Sequence, residues 1–213
     1  KTESNDWQWV YLRGNIVERN SEGKITKMVG TYRDITKEKN AEETINYLNI
    51  HDKFTGLYNR EFFEEELQRI DTAANLPISL MMGDVNGLKL VNDSFGHYKG
   101  DKLLKKSAEI IEKSCREQDV IARWGGDEFA LLLPKTKQKD AKKICNRINN
   151  ACKEAEIDPI RPSIALGMAT KKIKGQSTEQ MLKEAEDRMY RNKLTESTSV
   201  RNSIVSSLKQ TLD

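Results

Sequence analysis

Cysteine is scarce: Cys115, Cys145 and Cys152 are the only three, an odd number with no Cys-x-x-Cys pair. That argues against a disulfide framework and against a zinc site, and it fits a reducing cytoplasm. Long hydrophobic runs are missing too. The best stretches, Ile78 to Met82 and Phe129 to Leu133, are strand-sized and fall far short of the ~18 residues a membrane span needs. No membrane contact is expected from this segment. Neither sign of charge dominates: 36 Lys plus Arg stand against 33 Asp plus Glu, a net charge of +3. The two signs are interspersed, so there is no basic stripe of the kind that binds nucleic acid. The chain opens on Lys1 with neither an initiating Met nor an apolar signal segment, which reads as a piece of a longer protein. There is no internal repeat and no low-complexity tract.

What is present suffices for a folded core. The length of 213 residues holds one ordinary domain of roughly 100 to 150 residues plus a fragment. Hydrophobic residues at 37% against 32% charged keep the chain out of the disordered class.

The elements change type along the chain. Trp7 to Glu18 and Ile25 to Tyr32 are rich in aromatic and β-branched residues and flank the turn cluster Asn20-Ser21-Glu22-Gly23, which predicts a hairpin. From Lys37 to Ile50, Ala41, Ile45 and Leu48 recur at helical spacing. That narrow stripe suits a connector helix paired with its twin, and equally a helix lying on its own domain. Helices are predicted from Arg60, Leu88, Lys99 and Gln138 and over Thr178 to Lys193, with strands at 78–84, 120–124, 128–133 and 163–169. A hairpin lying between helices points to an α+β fold with a mixed central sheet flanked by helices, rather than a doubly wound one.

Chemistry gathers where strands end. Asp84 closes an apolar strand, and Val85-Asn86-Gly87 then opens a helix whose first amides are free to meet an anion. In Arg123-Trp124-Gly125-Gly126-Asp127-Glu128-Phe129, two glycines form a tight turn beside adjacent carboxylates. Hard oxygen ligands near phosphate suggest magnesium, and neighbouring Asp84 and Glu128 would share such ions in phosphoryl or nucleotidyl transfer. Taken alone, a glycine hairpin with solvated acids satisfies the same pattern.

Gly125-Gly126-Asp127-Glu128-Phe129 resembles the signature of the GGDEF family, the diguanylate cyclases. Asp52-x-Phe54-Thr55-Gly56-Leu57-x-Asn59-Arg60 resembles that family's opening motif, with Phe in place of the usual Leu. Asp84-Val85-Asn86-x-x-Lys89-x-x-Asn92-Asp93-x-x-Gly96-His97-x-x-Gly100-Asp101 resembles its nucleotide-binding segment. The resemblance covers residues 52–193. It implies a palm of the nucleotidyl-cyclase type and condensation of two GTP into cyclic di-GMP with release of pyrophosphate. Such an enzyme works as a homodimer with Mg²⁺, or Mn²⁺ in its place.

Position by position, the resemblance makes Asp84, the Val85 carbonyl and Glu128 metal ligands, with Asp127 the base near the reacting hydroxyl. The amides of Gly87 and Leu88 would hold phosphates, with Lys89 and Lys193 as cations beside them. Asn92 and Asp101 match the guanine-reading pair. A carboxylate accepts from the N1 and N2 hydrogens of guanine, donors that adenine lacks on that edge. The structural alternatives are a helix or turn cap for Asn92, a helix N-cap for Asp101 and solvated lysines. Arg116-x-x-Asp119 matches the family's inhibitory product site, with Arg147 as a second arginine; a helix-end ion pair is the plainer reading.

One departure stands out. After Lys193 the family usually continues to Gly-Arg-Asn, whose Arg binds the terminal phosphate, whereas this chain reads Leu194-Thr195-Glu196-Ser197. A weaker enzyme, or a nucleotide-binding module that regulates a neighbour, is the alternative outcome. Residues 1–36, closing on Val29-Gly30-Thr31-Tyr32-Arg33-Asp34-Ile35-Thr36, resemble the end of a PAS sensor domain, and residues 37–51 form the connector. Beyond Lys193, Val200, Ile204, Leu208 and Leu212 keep helical spacing over 194–213. This tail resembles the lead into a phosphodiesterase of the HD-GYP type.

Overall fold

Strand parity organises the larger part of the chain. Along Ile78–Val85, buried at every position, Ile78, Leu80 and Met82 join one apolar cluster while Met81 and Val85 join another. Successive strand residues point to opposite faces, so a strand with no polar alternation has to be covered on both sides. A computed structural model describes residues 7–155, 157 and 160–212 of the chain. It divides into two units, Lys1–Asn49 and Ile50–Asp213.

In the first unit β1 (Val10–Arg19) and β2 (Ile25–Asp34) form the expected antiparallel hairpin, with a register irregularity between Ile16 and Arg19. The Asn20 side chain accepts the Glu22 and Lys24 amides, and Gly23 supplies the positive φ of 79° that the turn requires. Every residue of both strands is exposed, Tyr11, Leu12 and Val29 included, because two strands cannot enclose a core. Asp34 Oδ1 accepts the Thr36 amide at the start of α1 (Thr36–Ile50), a helix with no buried residue.

The second unit runs α2 (Arg60–Ile70), β3 (Ile78–Val85), α3 (Leu88–Phe95), α4 (His97–Lys113), β4 (Val120–Gly125), β5 (Glu128–Leu133), α5 (Gln138–Glu154), β6 (Ile164–Lys171) and α6 (Thr178–Leu212). The sheet order is β4-β5-β3-β6. All its ladders are antiparallel, and the parallel component expected of a mixed sheet is confined to a bridge between Tyr58 and Ala122. Phe63 and Leu67 of α2, with Met181, Ala185 and Met189 of α6, cover one face. Leu103, Leu104 and Ile111 of α4 and Ile144 and Ile148 of α5 cover the other, together with Val91 of α3. Each such large side chain contributes about 1.5–3 kcal/mol of burial.

Two differences from the expected elements have local causes. Helix α4 begins at His97 rather than Lys99, straight after Gly96 at φ 82°. Helix α6 does not stop at Lys193 but runs unbroken to Leu212, since neither Gly nor Pro interrupts residues 178–212. The side chains of Val200, Ile204, Leu208 and Leu212 lie outside the described residues. Gly167 of β6 sets how closely α6 approaches: a Cβ there would lie 2.1 Å from Met189 N and 2.2 Å from Ala185 O.

Candidate active site

Parity on β3 also fixes which way the acids face. Asp84 shares the register of Ile78, Leu80 and Met82, so it turns towards the α2 and α6 face. On β5, Glu128 shares the register of Ala130 and Leu132 and turns the same way. The antiparallel ladder pairs Asp84 with Glu128 directly, a relation that holds Cβ atoms roughly 4.5–5.5 Å apart. Two carboxylates distant in sequence therefore meet at one end of the sheet.

Asp84 is buried, and Glu128 is half-buried beside it. Asp84 is only 3% exposed, and burial raises its pKa; the Lys193 hydrogen bond opposes that rise and the charge of Asp127 adds to it. Burial likewise raises Glu128, helped by the charges of Asp84 and Asp127. Lys193, from the face of α6 that meets β3, donates from Nζ to Asp84 Oδ2 at 2.6 Å. The other oxygen, Asp84 Oδ1, is buried with no hydrogen-bond partner. Among the described residues no three His, Cys, Asp or Glu side chains gather into a metal cluster, so further oxygens have to come from the backbone or a ligand. The donor set still fits a hard cation: a mutually repelling carboxylate pair, one oxygen of it unsatisfied, with a lysine ammonium supplying the positive charge.

Around this pair lie two turns. Gly126, at φ 46°, makes the tight bend between β4 and β5, and a Cβ on either Gly125 or Gly126 would meet nothing within 4 Å. The backbone carbonyl of Asp127 accepts the Val85 amide at 3.0 Å, tying this bend to the end of β3. Gly87, at φ 75°, caps α3, so the amides of Gly87 and Leu88 open the helix next to Asp84. Lys89 is exposed in the first turn of α3.

Asn92 and Asp101 lie on different helices, and Gly100 brings them near one another. A Cβ on Gly100 would lie 1.8 Å from Asn92 Oδ1, so the carboxamide of α3 rests against α4 one residue before the exposed Asp101. The N-cap of α4 is Gly96 rather than Asp101, and Asn92 contributes its backbone carbonyl to the Gly96 amide.

Arg116, Asp119 and Arg147 gather at the far end of β4. The Arg116 amide donates to Asp119 Oδ2 at 2.8 Å, and Asp119 Oδ1 is buried without a partner. Burial raises the Asp119 pKa against the opposing Arg116 and Arg147 charges. The Arg147 guanidinium donates to the Ser114 carbonyl at the end of α4. A cavity of about 310 Å³ adjoins Arg116 and Asp119 and is lined also by His51 and Tyr58. His51 has Nδ1 3.0 Å from the Gly56 carbonyl oxygen and stacks on Tyr58.

Sequence reasoning gave Arg123 no role. Its guanidinium donates to the Gly126 carbonyl at 2.7 and 3.0 Å and pairs with Asp52 at 3.2 Å. It thereby staples the opening segment of the domain to the glycine bend. The signal was an arginine two residues ahead of a double glycine. Asn86 was also missed: it is 3% exposed, and its Nδ2 donates to Ser163 Oγ and Glu196 Oε2.

The family model described as diguanylate cyclase, GGDEF domain, matches residues 49–199. The chain belongs to the GGDEF family. Diguanylate cyclase DgcM of Escherichia coli strain K12 is 34% identical over 170 residues, covering 78% of this chain and 41% of DgcM. The chain thus spans about two fifths of that relative's length. The GGDEF domain of PA1120 (TpbB or YfiN) from Pseudomonas aeruginosa is 35% identical, with a TM-score of 0.62 over 68% of this chain and 89% of that one. The GGDEF domain of DgcB from Caulobacter crescentus, solved in complex with c-di-GMP, is 25% identical, with a TM-score of 0.64 over 68% and 91%. The α+β architecture read from the sequence is that of these GGDEF domains. No helix among the described residues is long and apolar enough to cross a membrane.

Proposed function

We propose that this GGDEF domain is a diguanylate cyclase that condenses two GTP into cyclic di-GMP. The observation that carries the reading is the β3–β5 register, which sets Asp84 opposite Glu128 on the face where Lys193 reaches Asp84. In this reading Asp84, the Val85 carbonyl and Glu128 hold Mg²⁺ or Mn²⁺. The bound cation supplies charge neutralisation for the triphosphate and lowers the pKa of the attacking hydroxyl.

The chain's own residues do the rest. The Gly87 and Leu88 amides receive phosphate oxygens, aided by Lys89 and Lys193. Asn92 and Asp101 read the guanine edge, which selects GTP over ATP. Asp127, on the glycine bend, takes the proton from the ribose 3′-hydroxyl. The freed oxygen bonds to the α-phosphorus of the other GTP as the α–β anhydride breaks and pyrophosphate leaves. Two such bonds close the ring, so two chains must face one another, each presenting one GTP.

Arg116, Asp119 and Arg147 form a product-binding site in the same reading, at the opposite end of β4 from the acids. Residues 1–36 are then the end of a PAS domain and 37–51 the connector that sets the encounter of two domains. Residues 52–193 are the catalytic domain, and 194–213 lead onward. A cytoplasmic location goes with this assignment.

The sequence after Lys193 supports a second reading, a domain that binds GTP or cyclic di-GMP and regulates a neighbour, because a continuous helix bearing Leu194 to Ser197 stands where the family's phosphate-binding arginine would be. Incubating the purified chain with GTP, with and without Mg²⁺, separates the two. Cyclic di-GMP appearing only with the cation supports the cyclase; GTP bound but unconsumed supports the regulatory module.

A further inference from the structure

Lys193 and Glu196 stand three residues apart on α6 and so share a face. They reach two residues at the end of β3, Asp84 and Asn86, that are likewise close in sequence. Lys193 Nζ meets Asp84 Oδ2 at 2.6 Å, and Glu196 Oε2 accepts from Asn86 Nδ2 at 3.1 Å. Helix α6 is thus fastened at two points to the strand end that opens the turn Val85–Leu88.

The second fastening has a directional consequence. An ionised carboxylate only accepts hydrogen bonds, so Glu196 dictates which end of the Asn86 carboxamide faces it. The second Nδ2 hydrogen goes to Ser163 Oγ at 2.9 Å, and the Asn86 backbone amide donates to the Ser163 carbonyl at 2.8 Å. Asn86 is 3% exposed, and its Oδ1 is buried without a partner. The Ser163 hydroxyl can donate as well as accept, so Glu196 is the contact that fixes which end of the carboxamide is which, and its removal leaves that orientation to an ambivalent partner. Glu196 also lies close enough to Cys152 of α5 for its charge to help raise that thiol's pKa, after burial, to about 11. Its carboxylate is half-buried and lines a cavity of about 380 Å³ together with Cys145 and Asn146 of α5.

We propose that Glu196 is a positioning residue for the triphosphate: through Asn86 it holds the Gly87 and Leu88 amides in place, so the path of α6 beyond Lys193 sets the affinity for GTP. This rests on the cyclase reading for its substrate. The position lies in the stretch where this chain departs from the family, so the device belongs to the departure itself. It also gives the residues after Glu196 a mechanical route to the site, because α6 is one unbroken helix from Thr178 to Leu212.

The test uses the full chain with E196A and E196Q, reading hydrogen exchange at the Asn86 amide, which is bonded to the Ser163 carbonyl, together with KM and kcat for GTP. E196A is expected to speed exchange at this amide about tenfold and to raise KM about tenfold with kcat within about twofold. E196Q keeps a carbonyl acceptor and is expected to restore both. Unchanged exchange at Asn86 in E196A overturns the proposal. So does exchange that rises throughout the sheet with a fall in Tm, which marks general destabilisation, and so does a KM that falls in E196Q, which marks charge repulsion. If E196A does not fold, E196D, whose shorter side chain cannot span the contact, is read against the same outcomes. Exchange is measurable whether or not GTP turns over, so an inactive chain would defeat the cyclase reading while leaving the exchange result to decide this one.

Discussion

Lys193 Nζ donates to Asp84 Oδ2 at 2.6 Å across 109 residues of chain. A lysine ammonium thereby occupies one oxygen of the acid that the cyclase reading gives to a divalent cation. Lys193 should then compete with the cation for Asp84 and, once nucleotide arrives, serve the phosphates instead. K193M is expected to show a larger Mg²⁺-induced rise in Tm than the wild type without nucleotide, and a KM for GTP at least about tenfold higher. Equal Mg²⁺ shifts in the two proteins would show that lysine and cation do not share the site. Thermal unfolding across a Mg²⁺ titration measures it.

Gly100 offers a test that separates stability from recognition. Alanine inside a helix is favoured over glycine by about 1 kcal/mol, so G100A in α4 should keep or raise Tm. Its Cβ would nevertheless lie 1.8 Å from Asn92 Oδ1, and the carboxamide must move. The expected result is a KM for GTP raised about tenfold, with discrimination against ATP reduced. A GTP KM equal to wild type would take Asn92 out of guanine reading.

The Asp52–Arg123 pair makes a prediction in pH. Burial pushes the Asp52 pKa up, but hydrogen bonds from the Thr55 amide and hydroxyl and the Arg123 charge outweigh it and leave it below the usual value. A carboxyl with a depressed folded-state pKa adds stability above its unfolded value of about 3.9, and that contribution fades as pH falls through the folded value. D52N should therefore have a lower Tm than wild type at pH 7, with the gap closing below about pH 4. A gap independent of pH would mean that the ion pair is not its source. Circular dichroism melts between pH 7 and pH 2.5 distinguish the cases.

Strand parity was the most legible part of the molecule. Ile78 to Asp84 and Glu128 to Leu133 read as buried strands from their apolar runs, and counting by twos from Leu80 and Ala130 puts both acids on one face. The start of α2 at Arg60 was likewise readable, and there the Asn59 side chain accepts the Phe62 amide. What sequence hid was tertiary reach. Arg123 turns from β4 to a carbonyl three residues on and to Asp52, and Glu196 crosses to Asn86. Long side chains make such contacts without any periodic trace. The 3-10 turn Ala73–Asn75 was missed for the opposite reason: three residues carry no period to read. The continuity of α6 past Lys193 was legible in part, since Val200, Ile204, Leu208 and Leu212 keep helical spacing through 194–213.

The account depends on Glu128 acting with Asp84 at the head of the β3–β5 ladder. The most direct measurement is cyclic di-GMP production from GTP and Mg²⁺ by the wild type and by E128Q at matched GTP occupancy. The account predicts product from the wild type and a loss of about a hundredfold or more in E128Q with GTP still bound. Product formation by E128Q at the wild-type rate would contradict it.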